Sequence, residues 1–322
     1  MPRVLFTDQD YNDVALERSL FDAAGIDLVV ANHKTEDAII AAGKDFDAFL
    51  IQYAPISDRV LAALPKLGIV SRIGAGFDTI DTAACARHGV WVANSPDYGV
   101  GEVSTHALAL ALALIRNVVA YHRDILAGKW HYLSSGKLRR AGDMTLGIVG
   151  LGRIGKRMAH ISRDVFKRVV ACDPYLIDGD FPAYVERVDL PGLFAQSDVV
   201  TLHTPLNEET RGLIDAKVLG RMRAGSFLVN TARGAVVNMD DLLSALDNGI
   251  LAGAGLDVLP VEPVADQRLL GHPRLILTPH AAFFSVQSEV ELRRKAAQNI
   301  VTWLETGRPD YVVVEGTRRA ST

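Results

Sequence analysis

Two cysteines in 322 residues, Cys85 and Cys172, are too few to staple a chain of this length. Thiols this sparse fit a reducing, cytosolic setting, where they serve as small buried hydrophobes. Basic residues are not in excess either: 34 Lys and Arg stand against 38 Asp and Glu, a formal charge of -4. No global positive field exists to gather nucleic acid. Long apolar runs are missing too. The longest, Ala107 to Ile115, is about half of what crosses a bilayer, and the opening MPRVLFTD lacks the apolar core of a signal peptide. Repeats and low-complexity tracts are absent. What remains is a globular protein expected in the cytoplasm, with neither nucleic acid nor membrane as partner, whose length points to two domains.

What is present is a regular alternation. Short runs rich in Val, Ile and Leu alternate with longer amphipathic segments, the pattern of βα units around parallel sheets, so the fold class is α/β. The first series of strands is expected at Val4–Thr7, Leu28–Asn32, Ala48–Gln52, Gly68–Arg72 and Val90–Ala93. A second follows at Thr145–Val149, Val169–Asp173, Val199–His203, Phe227–Thr231, Ala254–Val258 and Leu275–Thr278. Between the series, Val103 to Val119 is almost uncharged and reads as one buried helix passing from one domain to the other. A further helix over Ser285 to Glu305 stops at Gly307 and Pro309, and Tyr311 to Val314 is extended. Two arrangements join these pieces: tandem domains, or a first domain interrupted by a second, with the C-terminal helix returning to the first.

Chemistry enters at GIVGLGRIG. Gly150, Gly152 and Gly155 follow the strand Thr145–Val149, and Arg153 and Ile154 open a helix. In that context the first glycine permits a tight turn, the second lets a pyrophosphate approach the backbone, and the third lets helix pack on strand. Free N–H groups at the helix start suit phosphate. Asp173, 18 residues past Gly155 at the end of the next strand, can accept hydrogen bonds from ribose hydroxyls. Its charge would repel a 2′-phosphate, so NAD is preferred over NADP. The bland alternative, a structural turn and a strand cap, leaves the joint spacing unexplained.

Three later segments place a polar group at a strand end: NTARGAVV with Arg233, LDVLPVEP with Asp257 and Glu262, and LTPHAAF with His280. A 2-hydroxy or 2-oxo acid needs a cation for its carboxylate, a proton donor and acceptor at the hydroxyl, and a carboxylate to tune that group. Arginine binds carboxylate bidentately and stays charged. Histidine titrates in the physiological range, and a carboxylate such as Glu262 beside it favours the imidazolium. Singly, each residue reads better as an ion-pair partner, a loop residue or a helix cap. Their joint arrival behind a nucleotide-binding turn reverses that judgement.

GLGRIG with CDPY, LHTPLNEETRGLI, LVNTARGAVV, AGAGLDVLPVEP and LTPHAAF together resemble the D-isomer-specific 2-hydroxyacid dehydrogenase family. NSPDYGVGEVSTHALALALAL with HAAFFS resembles its branch related to the C-terminal binding proteins, which includes bacterial members presumed to be dehydrogenases. The resemblance implies a flavodoxin-like substrate domain over 1–100 and 286–322, an inserted NAD-binding Rossmann domain over 101–285, and catalysis in the cleft between them. It implies that Arg233 binds the substrate carboxylate and keto oxygen, that His280 is the acid/base, that Glu262 hydrogen-bonds the histidine and that Asp257 supports them. His203, Thr204 and Pro205 would run alongside the cofactor, with Thr231, Ala232 and Asp257 near the nicotinamide. The backbone of Ile73, Gly74, Ala75 and Gly76 would receive the substrate carboxylate. A homodimer is implied as well, and no metal.

Relatives acting on phosphoglycerate carry arginines after the third strand, where this chain has Gln52, Tyr53, Ala54 and Pro55. Phosphoglycerate is therefore disfavoured, glyoxylate or hydroxypyruvate is favoured, and Tyr53 is placed on the substrate side. Phe283 matches a tryptophan that faces substrate in the C-terminal binding proteins, although packing of Phe283 and Phe284 at the helix start is an equal reading. Trp130, His131 and Tyr132 form an aromatic cluster to which no role is assigned. The competing functional reading is an NADH-sensing corepressor-like scaffold with little or no turnover.

Overall fold

Strands that are apolar on both faces need layers on both sides. The computed structural model, which describes residues 1–318, supplies them around two sheets. The chain divides into two compact units, one made of Met1–Tyr98 with the segment from Ser285 onward, the other of Gly99–Phe284. Residues 319–322 of the expected first domain lie outside the described residues.

The first unit contains β1 (Arg3–Phe6), β2 (Asp27–Val30), β3 (Ala48–Ile51), β4 (Ile69–Arg72) and β5 (Trp91–Ala93). The second contains β6 (Thr145–Val149), β7 (Arg168–Cys172), β8 (Val185–Arg187), β9 (Val199–Leu202), β10 (Ser226–Asn230), β11 (Leu251–Leu256) and β12 (Leu275–Leu277). The last strand, β13 (Val312–Val314), returns to the first sheet, whose order is β2-β1-β3-β4-β5-β13. Its first five strands are parallel and follow the flavodoxin-like order, while β13 pairs antiparallel with β5. The helix Val286–Thr306 belongs to this unit. Ser285 and Ser288 close its start as a reciprocal capping box, and Gly307 ends it with φ +83°. Its inner face buries Leu292, Ala296, Ile300 and Trp303. It also buries Arg293, which grips both carboxylate oxygens of the fully buried Glu17 at 2.7 Å.

The second sheet has the order β8-β7-β6-β9-β10-β11-β12, parallel throughout. Strand order reverses between β6 and β9, which is the Rossmann arrangement, and ligands of such sheets collect outside the carboxyl ends at the reversal. β8 was not among the expected strands. It is three residues long, and only Val185 of it is buried. The expected helix Val103–Val119 is corrected as well. A helix spans Val100–Ile115 wholly within the second unit, Asn117 then takes a left-handed φ of 51°, and a separate helix Val118–Leu126 leaves at 57°. No single described helix is long and apolar enough to cross a membrane. Val100–Ile115 lies close on β11 because that strand has glycines where side chains would collide. A Cβ on Gly253 would stand 2.9 Å from Leu114, and one on Gly255 would stand 3.0 Å from Leu110.

Candidate active site

The turn after β6 has the shape its glycines require. Gly150 adopts φ +88°, and a Cβ on Gly155 would lie 2.1 Å from the Gly150 carbonyl, so the helix Arg153–Ser162 is pressed onto the turn. At Gly152 an added Cβ would meet nothing within 4 Å. That open face lies at a helix start where Arg153 and Ile154 carry N–H groups without intrahelical partners. Asp173, at the end of β7, accepts the Leu151 N–H at 2.8 Å and the Tyr175 N–H at 3.0 Å. It therefore ties its strand to the turn with one hydrogen bond on each carboxylate oxygen.

His203, Thr204 and Pro205 follow β9 on the other side of the reversal. The His203 carbonyl would be 2.8 Å from a Cβ on Gly150, so the two loops abut. His203 Nε2 lies 3.0 Å from Thr201 Oγ1, and burial pushes the imidazole down to about 4, so it is neutral. Its Nδ1, Thr204 Oγ1 and Thr231 Oγ1 are buried with no hydrogen-bond partner among the described residues. Buried polar atoms are seldom left so. Three of them on this sheet edge, beside an open glycine face, fit a polar dinucleotide laid along it.

Arg233, Glu262 and His280 converge in the same unit. Asn230, fully buried at the end of β10, folds the segment after it: its Oδ1 accepts the Ala232 N–H at 3.0 Å and its Nδ2 donates to the Arg233 carbonyl at 2.9 Å. Arg233 Nη1 donates to the Ala232 carbonyl at 2.8 Å. Gly234 next to it has room only for hydrogen, since a Cβ would fall 1.9 Å from the Leu259 carbonyl carbon. The arginine loop thus abuts the loop that carries Glu262. Glu262 Oε1 accepts the Leu259 N–H at 2.8 Å, and its Oε2 meets His280 Nδ1 at 2.8 Å. Partial burial pushes the Glu262 carboxyl up. The hydrogen bonds from His280 and Leu259 and the charges of His280 and Arg233 outweigh it and hold the group below the usual carboxylate range.

His280 has φ +53°, a left-handed backbone uncommon outside glycine. Asp257, 2% exposed, keeps it there: its carbonyl accepts the His280 N–H at 2.8 Å, and its carboxylate accepts the N–H groups of Ala281 and Ala282, both at 2.9 Å. Phe283 meets the His280 ring edge-on, with centroids 6.3 Å apart.

Of the substrate-side residues expected from the sequence, Arg233 and Phe283 lie in the second unit, and Tyr53 and the Gly74–Gly76 turn lie in the first. Fully buried Asp8 accepts the backbone N–H groups of Gln52, Tyr53 and Ala54, and the Tyr53 hydroxyl lies 3.4 Å from Asp10. Gly74, Ala75 and Gly76 form a turn after β4 held through its carbonyls, with Gly74 O accepting the Ser95 N–H at 3.0 Å and Ala75 O accepting Asn94 Nδ2 at 2.7 Å. One cation was missed. The Arg72 guanidinium lies against Gly74, and its charge opposes the upward pull of burial and Asp10 on the Tyr53 hydroxyl. The loop lacks an arginine of its own, but it does not stand in an environment without one.

Residues 108–282 match the model of the D-isomer-specific 2-hydroxyacid dehydrogenase NAD-binding domain, more than half of the chain. The chain belongs to that family. Among relatives of this dehydrogenase family member, a glyoxylate reductase of Korarchaeum cryptofilum is 37% identical over 286 residues, 87% of this chain and 86% of its own. A glycerate dehydrogenase of Methylorubrum extorquens is 33% identical over 87% of this chain and 89% of its own. A D-3-phosphoglycerate dehydrogenase of Bacillus subtilis is 32% identical, and this chain covers 57% of it; the chain spans about half the length of the phosphoglycerate dehydrogenases that it matches. A D-lactate dehydrogenase from Aquifex aeolicus, solved with NAD and lactic acid, superposes with a TM-score of 0.89 at 25% identity over 98% of this chain and 100% of its own. The unit around the second sheet is thus the family's nicotinamide-cofactor domain.

Proposed function

We propose that the protein is an NADH-dependent reductase of small 2-oxo acids, and in reverse a dehydrogenase of D-2-hydroxy acids. The observation that carries this is the 2.8 Å contact of His280 Nδ1 with Glu262, formed beside Arg233 in the family's cofactor domain. The bound nicotinamide supplies or takes up the hydride. Arg233 pairs with the substrate carboxylate and offsets charge growing on the carbonyl oxygen; losing one such donor costs about 100- to 1,000-fold. With Nδ1 held by Glu262, His280 presents Nε2 to that oxygen. As the C2 carbonyl π electrons move to oxygen, the Nε2 proton follows and the imidazolium becomes neutral; oxidation reverses the transfer.

Gly150, Gly152, Arg153, Ile154 and Gly155 are proposed to bind the pyrophosphate, Asp173 the ribose, and His203, Thr204, Pro205, Thr231, Ala232 and Asp257 the remainder of the cofactor. The Asp173 carboxylate supports NAD over NADP. Tyr53, the Gly74–Gly76 turn and Phe283 are the proposed substrate contacts. Substrates of the glyoxylate and hydroxypyruvate kind are supported by the Asp8 and Asp10 carboxylates at the Tyr53 loop and by the glyoxylate reductase and glycerate dehydrogenase relatives. Arg72 and the phosphoglycerate dehydrogenase relatives argue the other way. A cytoplasmic homodimer completes the proposal. Exposed Val118, Leu126, Trp130 and Tyr132 in the second unit offer an apolar surface for it.

The test is NADH and NADPH oxidation with glyoxylate, hydroxypyruvate, pyruvate and 3-phosphohydroxypyruvate, with light scattering for the dimer. Turnover fastest on an unphosphorylated acid with NADH is expected. Preference for the phosphorylated acid would overturn the substrate assignment, and full kcat in His280→Ala would remove the histidine from its role.

A further inference from the structure

We infer that His106 is a positioning residue for His280, acting through Thr278 and Asp257; this rests on the reading of His280 as the acid/base. His106 sits in the helix Val100–Ile115, a lone imidazole among Ala and Leu, 172 residues before Thr278. The glycines of β11 let that helix approach, and His106 Nε2 comes to lie 3.0 Å from Thr278 Oγ1 and 3.6 Å from Asp257 Oδ1.

Proton counting sets the direction of this chain. The Thr278 hydroxyl has one proton, and it goes to Asp257 Oδ1 at 2.5 Å. Thr278 Oγ1 therefore has only lone pairs to offer His106, so the imidazole donates from Nε2–H. The order is His106 to Thr278 to Asp257, and from Asp257 to the backbone of residues 280–282. His106 fixes the rotor of the threonine hydroxyl and brings an imidazole toward a carboxylate that is 2% exposed. Without it, the Thr278 proton is free to turn away from Asp257, and the carboxylate loses hold of a loop whose backbone at His280 is disfavoured for a residue with a side chain. The predicted effect is on the orientation of His280 and hence on kcat; the glycine turn after β6, proposed for the pyrophosphate, takes no part in the chain.

The test compares His106→Leu, His106→Gln, Thr278→Val and the double variant His106→Leu/Thr278→Val, with His280→Ala as reference. His106→Leu should lower kcat about 5- to 30-fold, the range for one hydrogen bond near a charge, with KM for NADH within about twofold of wild type. His106→Gln, whose amide can still donate to Thr278, should recover most of the loss. The double variant should be no slower than Thr278→Val alone, because both changes break one chain. Wild-type kcat in His106→Leu, no rescue by glutamine, or additive losses would each overturn the inference. If His280→Ala is itself fully active, the functional reading fails. Amide exchange then tests the chain alone: faster exchange at residues 280–282 in His106→Leu supports it, and unchanged exchange overturns it.

Discussion

Replacing Glu262 by glutamine isolates its charge from its shape. The carboxylate holds two donors, Leu259 N–H on one oxygen and His280 on the other, each at 2.8 Å. Glutamine has a single acceptor oxygen of the same reach. When it satisfies Leu259, its NH₂ faces His280 Nδ1 and favours the neutral tautomer with the proton on Nε2, and no anion remains to stabilise the imidazolium. A hydrogen bond to a charged group contributes about 1.5–3 kcal/mol. Both side chains here are more than a third exposed, 34% and 37%, so water screening places the pair at the low end, about 1.5 kcal/mol. That converts to about a tenfold loss of kcat. Glu262→Ala also frees the Leu259 N–H and loosens the loop facing Arg233, and about 30- to 100-fold is expected, two such bonds in sequence. Steady-state reduction of glyoxylate by NADH measures both. Wild-type kcat in the two variants, or a loss confined to KM for NADH, would refute the role given to Glu262.

Three further outcomes follow from the same structure. Gly152→Val puts a branched side chain into the open face above the turn and should weaken NADH about tenfold or more in a fluorescence titration while leaving Tm unchanged; equal affinity would sink the phosphate assignment. Glu17→Gln removes the buried anion that Arg293 grips but leaves it Glu289 and the Asp13 carbonyl, so a cost at the low end of the range for breaking a buried pair, about 3 kcal/mol, is expected, read as a lower calorimetric transition of the first unit; a shift under about 1 kcal/mol would contradict the burial argument. Because the Glu262 carboxyl is depressed, its contact with His280 is present above the ordinary carboxylate range and is lost only as pH falls below it. In stopped-flow reduction, the advantage of wild type over Glu262→Gln should therefore persist through that range; disappearance of the advantage at higher pH would contradict the sign.

The parts of the site that were legible in the sequence are those whose chemistry is local. A glycine turn after a strand, an acid one strand later, and Arg, Glu and His at strand ends each leave a mark within a few residues. Non-local parts left none. His106 and Thr278 are 172 residues apart and meet only because Gly253 and Gly255 let a helix approach a strand. Asn230 falls inside the expected strand Phe227–Thr231 with no mark of its own, yet it folds the arginine loop. Arg72 closes the expected strand Gly68–Arg72, and nothing in that pattern tells that its guanidinium folds back on Gly74. The break at Asn117 was hidden because good helix formers continue on both sides, and β8 because an edge strand with one buried residue has almost no apolar signal.

The return of Val286–Thr306 to the first unit also governs when that unit can fold. Its core includes Trp303, 1% exposed, with a ring edge that occupies the space a Cβ on Gly68 would need, and the partner of buried Glu17 is Arg293. None of these exists when residue 98 leaves the ribosome. The 186 residues from Gly99 to Phe284 come first, roughly 10–40 s of synthesis at about 5–20 residues per second. For that interval the nascent first sheet carries an unpaired acid and an uncovered apolar face, while the later-made second unit has everything it needs to close. The cofactor domain is thus the first of the two units whose residues are all available.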